Sequence, residues 1–137
     1  KHVIPHFIEQ KGGAIINIAS IYGIRGPDPR IYEGSLYMGQ QISTPPTYAA
    51  SKGGVVALTR YQATTLARHG IRANSITPGG VFSGQNDAFV ARYSDRVPMG
   101  RMANREELRG AVAFLASDAS SYVTGHNLVV DGGLSAW

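Results

Sequence analysis

The chain has 137 residues, no cysteine, 43% apolar and 16% charged residues, and a net charge of +4. That balance belongs to a globular domain with a core of its own; it excludes disorder, disulfides and thiolate metal sites, and it suits a reducing, cytoplasmic compartment. Ten arginines and three lysines are scattered rather than gathered into a stripe, and no apolar run approaches the roughly 18 residues of a membrane span, so neither a nucleic-acid nor a membrane partner is expected.

In chain order, residues 1 to 10 read as the last turns of a helix, with Val3, Ile4, Phe7 and Ile8 on one face and Pro5 marking a kink or an end. The opening Lys1-His2-Val3-Ile4 carries no signal peptide and has the character of the middle of an element. Lys11-Gly12-Gly13 stops the helix, and Ala14-Ile15-Ile16-Asn17-Ile18-Ala19 follows as a short, nearly continuous apolar run, the pattern of a strand buried on both faces of a parallel sheet. Ser20-Ile21-Tyr22-Gly23 ends it. Residues 24 to 46 hold four prolines and several turn formers and read as a long loop, a feature that in compact domains usually serves function.

Thr47 is placed to cap a helix running to residue 69, where Gly70 ends it. Its first half is unusually small (Ala49, Ala50, Ser51, Gly53, Gly54, Ala57), and each mid-helix glycine costs about 1 kcal/mol relative to alanine. Close approach to another backbone or to a ligand is the expected compensation. Residues 71 to 77 read as a second strand, stopped by Pro78-Gly79-Gly80; residues 81 to 103 are irregular, with one short helix over 87 to 93. Residues 105 to 116 form a third helix with Leu108, Val112 and Leu115 on its core side, and residues 127 to 130 a third strand that leaves through Asp131-Gly132-Gly133. Strands alternating with helices imply an α/β fold with parallel pairing and a doubly wound sheet, here undersized at three strands.

One pair carries chemistry. Tyr48-Ala49-Ala50-Ser51-Lys52 sets a phenol and an ammonium one helical turn apart on the same face. A neighbouring cation favours the phenolate and brings a tyrosine toward proton transfer near neutral pH. A lone Tyr-x-x-x-Lys is close to chance and otherwise reads as an incidental surface pair. Its setting is more informative: it opens a small-residue helix that follows a strand ending in a hydroxyl residue, and ligands of open α/β sheets bind beyond the carboxyl ends of strands, where Ser20 and Pro78-Gly79 both lie.

Four ordered stretches resemble one family. Gly13-Ala14-Ile15-Ile16-Asn17-Ile18-Ala19-Ser20, Tyr48 through Lys52, Asn74-Ser75-Ile76-Thr77-Pro78-Gly79, and Phe114-Leu115-Ala116-Ser117-Asp118 through Val130-Asp131-Gly132-Gly133 are together similar to the C-terminal half of a short-chain dehydrogenase/reductase, over essentially the whole chain. The resemblance implies the C-terminal half of a Rossmann-like, doubly wound parallel sheet and an oxidoreductase that moves a hydride between NAD or NADP and a small-molecule alcohol or ketone, including a sugar derivative. In it Tyr48 is the general acid/base, Lys52 lowers the tyrosine pKa and holds the nicotinamide ribose, and Ser20 holds the carbonyl oxygen, a plain strand-end cap being the other reading of that serine. Pro78, Gly79, Gly80, Val81 and Ser83 contact the nicotinamide end, Gly79 and Gly80 also serving as a turn. Asn74 and Asp131 are read as structural. The family also implies a homodimer or homotetramer packed through the helix after Tyr48 and the helix before residue 11.

Departures from the pattern matter as much. No glycine-rich nucleotide fingerprint is present, nor the residue that chooses NAD over NADP, nor the family's active-site asparagine. The expected reason is that the N-terminal half lies outside this chain, which alone would bind dinucleotide poorly and be inactive. Ser20 and Tyr48 are 28 residues apart, about twice the spacing of short members. Ser20-Ile21-Tyr22-Gly23 is superficially similar to sugar-nucleotide epimerases and dehydratases, one alternative reading; a non-catalytic Rossmann-like module is another. Because the tail follows the shorter branch, residues 24 to 46 are treated as an insertion at the mouth of the site that helps choose substrate through Arg25, Arg30, Tyr32 or Tyr37, a surface or oligomer-contact loop being the competing reading. The insertion, with Gly84-Gln85 and Trp137, is similar to bacterial dehydrogenases of surface-sugar and flagellin modification.

Overall fold

The computed structural model describes residues 2 to 137. Lys1, where the expected helix tail begins, and the side chain of Tyr37, a substrate-choice candidate, lie outside the described part. Strands β1 (Gly13–Ile18), β4 (Ile71–Pro78) and β5 (Asn127–Val130) form one parallel sheet in the order β1-β4-β5. Helices α1 (Val3–Glu9), α2 (Pro46–Leu66), α3 (Asp87–Ser94) and α4 (Arg109–Ala116) accompany it, and a two-stranded antiparallel hairpin, β2 (Leu36–Tyr37) with β3 (Gln40–Gln41), stands apart from it. No helix among the described residues is long and apolar enough to cross a membrane.

β4 is the central strand, and its side chains show it: Ile71, Ala73, Asn74, Ser75, Ile76 and Thr77 are all buried. A buried polar side chain is costly without a partner. Here Asn74 donates to the Val123 carbonyl at 2.8 Å and accepts from the His126 N–H at 2.9 Å, while Ser75 and Thr77 both donate to Asn127 Oδ1. These bonds lock β5 beside β4 and give Asn74 the structural role read from the sequence. Asp131 has one too, accepting the Gly133 and Ser135 N–H groups to close the turn after β5.

α2 lies on the sheet through Val56, Thr59 and Ala63, and Asn17 of β1 reaches up to Thr59 and Gln62. Gly70, in the left-handed conformation at φ 72°, turns the chain from the end of that helix into β4. The start of α2 differs from expectation. The capping position is held by Pro45, with Pro46 as the first helical residue, and Thr47 lies inside the first turn without capping it. A proline at that position needs no N–H partner and arrives with a helical φ, so the Pro45-Pro46 pair displaces threonine as the start signal.

α4 is preceded by a 3-10 turn at Arg105–Leu108, so the expected helix is two pieces. Its inward line runs through Leu108, Ala111 and Leu115, and Leu115 is fully buried, a contribution of about 2 kcal/mol. Val112, expected on the core side, lies off that line and is 41% exposed.

Residues 24 to 46 are not a simple surface flap. They hold a 3-10 turn at Pro29–Tyr32, capped by Asp28, and the β2–β3 hairpin, turned by Met38-Gly39 with both residues at positive φ. Ile31, Tyr32 and Ser35 are buried, and Tyr32 and Phe89 meet with ring centroids 5.6 Å apart. With Ile21, Tyr93, Val97, Met102 and Leu134 they build an apolar cluster beyond the carboxyl ends of the sheet. The segment therefore contributes to the core that shapes the site.

Candidate active site

β1 delivers Ser20 as it ends. The serine is extended and 8% exposed, and its Oγ accepts from the Tyr22 N–H at 3.3 Å, capping the short 3-10 turn Ile21–Gly23. The strand-end cap is thus present, and it uses an acceptor lone pair while leaving the Ser20 O–H free to donate. The first two turns of α2 supply Tyr48 and Lys52. The Lys52 ammonium lies 5.7 Å from the Tyr48 ring centroid and donates to the Ile18 carbonyl at 2.9 Å, which ties the helix to the end of β1.

What brings the two elements so close is Gly23. A Cβ there would meet the Lys52 carbonyl carbon at 2.6 Å and the Gly53 nitrogen at 2.9 Å, so the backbone after Ser20 rests directly on α2. The sequence placed the close approach on the helix glycines. The structure places it on the glycine facing them: Gly53 would meet only the Gly23 oxygen, at 3.5 Å, and Gly54 faces open space.

Ser20, Tyr48, Gly79 and Gly80 line one cleft of about 350 Å³, completed by Tyr22, Tyr32, Ser43, Thr44, Phe89, Tyr93 and others. Pro78, Val81 and Ser83 are not in its lining. They belong to the strap beside it: Val81 pairs with Ala103, and Gln85 closes the strap by accepting the Ser83 N–H at 2.7 Å while donating to the Val81 carbonyl. The Val81 N–H takes no acceptor among the described residues, leaving a backbone donor for a bound group. Gly80 is required on steric grounds, because a Cβ would stand 2.6 Å from the Tyr93 ring. Its N–H donates to the Tyr93 hydroxyl.

Of the cleft's other tyrosines, Tyr32 is the candidate from residues 24 to 46 that does line it, while Tyr22 and Tyr93 are not singled out as site residues from sequence. Tyr32 donates to the Tyr22 hydroxyl at 2.8 Å and is also hydrogen-bonded to the Thr44 hydroxyl. Burial, reinforced by the bond from Tyr32, pushes the Tyr22 phenol far above its ordinary pKa. Burial also raises that of Tyr93, against the bond from Gly80. Both remain neutral donors at any working pH. The Phe89–Tyr93 spacing of four on a short helix was the available signal for a buried aromatic face. Nothing local announced that Thr44 would join Tyr32 in this cleft.

Arg25 and Arg30, expected to face substrate, line a second cavity of about 190 Å³ with Asp28, Arg96, Leu134 and Trp137. Tyr22 and Tyr93 form part of both linings and so separate the two spaces. Arg30 grips Asp28 through two bonds of 2.8 Å, Arg96 approaches the same carboxylate at 3.2 Å, and Arg25 donates to the Leu134 carbonyl. The Arg30 hydrogen bond, above all, holds the Asp28 pKa at about 2. Among the described residues no cluster of His, Asp or Glu could hold a metal.

The arrangement of a serine at a strand end, a Tyr-Lys pair one turn apart and a glycine strap around one cleft has close counterparts. A family model described as Enoyl-(Acyl carrier protein) reductase matches residues 1–135. The chain belongs to the short-chain dehydrogenase/reductase family. It is 38% identical to the 3-oxoacyl-(acyl-carrier-protein) reductase FabG of Thermotoga maritima, covering 96% of this chain and 49% of the relative. It is 39% identical to the 5-keto-D-gluconate 5-reductase of Escherichia coli, covering 96% and 48%. A crystal structure of a short-chain dehydrogenase from Leptospira borgpetersenii with bound NAD+ superposes with a TM-score of 0.88 at 40% identity, over 98% of this chain and 49% of that one. A gluconate 5-dehydrogenase from Burkholderia cenocepacia in complex with NADP and tartrate gives 0.80 at 35% identity, over 97% and 49%. The fold is thus that of Rossmann-type dehydrogenases, and the chain spans about half the length of the curated relatives it matches.

Proposed function

We propose that this chain is the catalytic and substrate-binding half of an NAD(P)-dependent oxidoreductase that interconverts an alcohol and a ketone, with residues 24 to 46 as an insertion. The observation that carries the reading is that Ser20 and Tyr48 line one cleft while Lys52, one turn further along α2, holds the Ile18 carbonyl at the end of the strand that delivers Ser20, an approach set by the fit of Gly23 against α2. Relatives that bind NAD+ or NADP share this half at up to 40% identity.

The residues present fit such a cofactor. The Lys52 ammonium spends one donor on Ile18 and keeps two for a ribose hydroxyl, and Val81 offers its N–H beside the Gly79-Gly80 backbone, in the strap that Pro78 opens and Ser83 continues. When bound, the nicotinamide supplies or accepts the hydride. The rest falls to the chain. Ser20 O–H donates to the substrate oxygen and fixes it against the Tyr48 hydroxyl. In reduction the Tyr48 proton passes to that oxygen as the carbonyl carbon gains hydride; in oxidation Tyr48 takes the alcohol proton as hydride leaves. Of the two groups at that oxygen, Ser20 is sheltered at 8% exposure and Tyr48 stands in the open part of the cleft at 41%. Exposed Leu58 and Tyr61 on α2, at 47% and 67%, suit that helix to a subunit contact in a homodimer or homotetramer.

In the full-length protein containing this chain, Tyr48→Phe is expected to lower turnover by about a hundredfold or more while dinucleotide binding, followed by nicotinamide fluorescence, is retained. Turnover equal to the parent would sink the mechanism. Lys52→Ala is expected to act on the other observable, weakening dinucleotide binding by about tenfold. Unchanged affinity would remove Lys52 from the cofactor site.

A further inference from the structure

The lining of the catalytic cleft contains no Asp, Glu, His, Lys or Arg side chain. Apart from the Gln85 amide, its side-chain polarity comes from hydroxyls. Thr44, Tyr32 and Tyr22 carry three O–H groups and share two hydrogen bonds, so one hydrogen is left over. With Tyr32 donating to Tyr22, Thr44 donates to Tyr32, and the hydrogen not used between the rings is that of Tyr22, beside the Thr44 hydroxyl and able to turn from it to a ligand oxygen. Tyr93 is in the same condition. Its oxygen already accepts from the Gly80 N–H, and its own hydrogen has no acceptor among the described residues. Two spare phenolic donors therefore belong to the wall of the cleft that also contains Ser20 and Tyr48. A phenolic donor with no protein acceptor on this open wall is available to a ligand oxygen that replaces water there.

We propose that Tyr22, supported by Tyr32 and Thr44 of residues 24 to 46, and Tyr93 together hold further oxygens of the substrate, so that the site takes a polyhydroxylated carbon chain rather than a bare alcohol or ketone. This rests on the reading that Ser20 and Tyr48 take the reacting oxygen; the tyrosine wall takes its neighbours. Chain hydroxyls suit the wall better than an ionised end group, because no cation lines the cleft to balance one and both tyrosines stay protonated. The insertion thereby acts through Tyr32 and Thr44, which hold the Tyr22 ring in place, while its arginines face the other cavity.

The test compares kcat/KM for D-sorbitol, xylitol and 2-hexanol with NAD+ and NADP+ in the full-length protein, in the parent and in Tyr22→Phe, Tyr32→Phe and Tyr93→Phe. The parent is expected to prefer both polyols over 2-hexanol by at least about tenfold, the worth of one to two good hydrogen bonds. Each variant is expected to shrink that preference by about three- to tenfold, mainly through KM. Thr44→Val, which removes the outermost hydroxyl without touching a ring, is expected to follow Tyr32→Phe in direction. Circular dichroism and dinucleotide affinity verify that each variant is folded. A parent that uses 2-hexanol as well as the polyols, or a preference that survives Tyr22→Phe and Tyr32→Phe in folded protein, overturns the inference while leaving the oxidoreductase reading standing. Absence of turnover with all three alcohols in a protein that binds dinucleotide overturns both.

Discussion

Two spaces lie on either side of Tyr22 and Tyr93, and they have opposite chemistry. The cleft at Ser20 and Tyr48 is lined by hydroxyls, the Gln85 amide, glycines and aromatic and apolar side chains with no formal charge, whereas the cavity behind it holds Arg25 and an Asp28 carboxylate paired with Arg30 and Arg96. Both take residues from the same segment, 24 to 46. The difference shows that a segment's net charge does not describe its contribution to a site. The arginines of this segment are spent on ion pairs and a backbone carbonyl, and its uncharged residues are the ones that reach the cleft of Ser20 and Tyr48. Changes on the cleft side should therefore cost activity, and changes on the arginine side should cost stability alone.

The largest effect is expected at Ser20. Ser20→Ala keeps the strand end but removes both the donor to the substrate oxygen and the acceptor for the Tyr22 N–H. Loss of one preorganised donor at a developing oxyanion costs about a hundred- to a thousandfold in kcat. Steady-state kinetics would show it, and a loss confined to KM would place Ser20 in binding rather than in the chemistry. Next comes Gly80→Ala, at the wall itself. The new Cβ would stand 2.6 Å from the Tyr93 ring and 3.0 Å from Met102, so the ring must move. Overpacking of this kind costs about 1–3 kcal/mol of stability, measurable by denaturant unfolding, and a shifted Tyr93 should lower activity as well. If Gly80→Ala matched the parent in both, the tightness of this wall would be refuted.

The legible part of this molecule was its local part. Tyr48 and Lys52 share a face because any helix places residues four apart together, and the strand ending at Ser20 was visible as an apolar run bounded by glycines. β4, β5 and α3 were legible within a residue or so for the same reason. What failed was decided by neighbours distant in sequence. Val112 is exposed because the packed line of α4 runs through Leu108, Ala111 and Leu115, a choice the heptad-like spacing leaves open. The close approach at α2 belongs to Gly23, whose partner lies nearly thirty residues on. Of the candidates in residues 24 to 46, Tyr32 does reach the cleft, with Thr44 beside it, as Ile31 and Tyr32 bury themselves in the cluster with Phe89, whereas Arg25 and Arg30 face the other cavity. A proline-rich segment announces a loop but not which of its side chains will be inside.

The smallest effect is expected on the arginine side. The Asp28 carboxylate, held by Arg30 first and by Arg96 more weakly, has a pKa of about 2 against an ordinary value of 3.8. Its folded pKa is depressed, so the ionised group stabilises the fold above pH 4, and that contribution is lost as pH falls from about 4 toward 2. Asp28→Asn removes the contribution and leaves the Arg30 and Arg96 guanidinium groups without their shared counter-charge. Thermal melts should show the variant below the parent at pH 7, with the gap closing across the window from pH 4 to pH 2. Because the pair is solvent-accessible, the gap should be modest and should shrink in high salt. Turnover at pH 7 should stay within about twofold, since a rim ion pair of this kind is worth little. A large fall in turnover, with the melting point unchanged, would mean that charge behind Tyr22 and Tyr93 is felt at Ser20 and Tyr48, and that the two spaces act as one site.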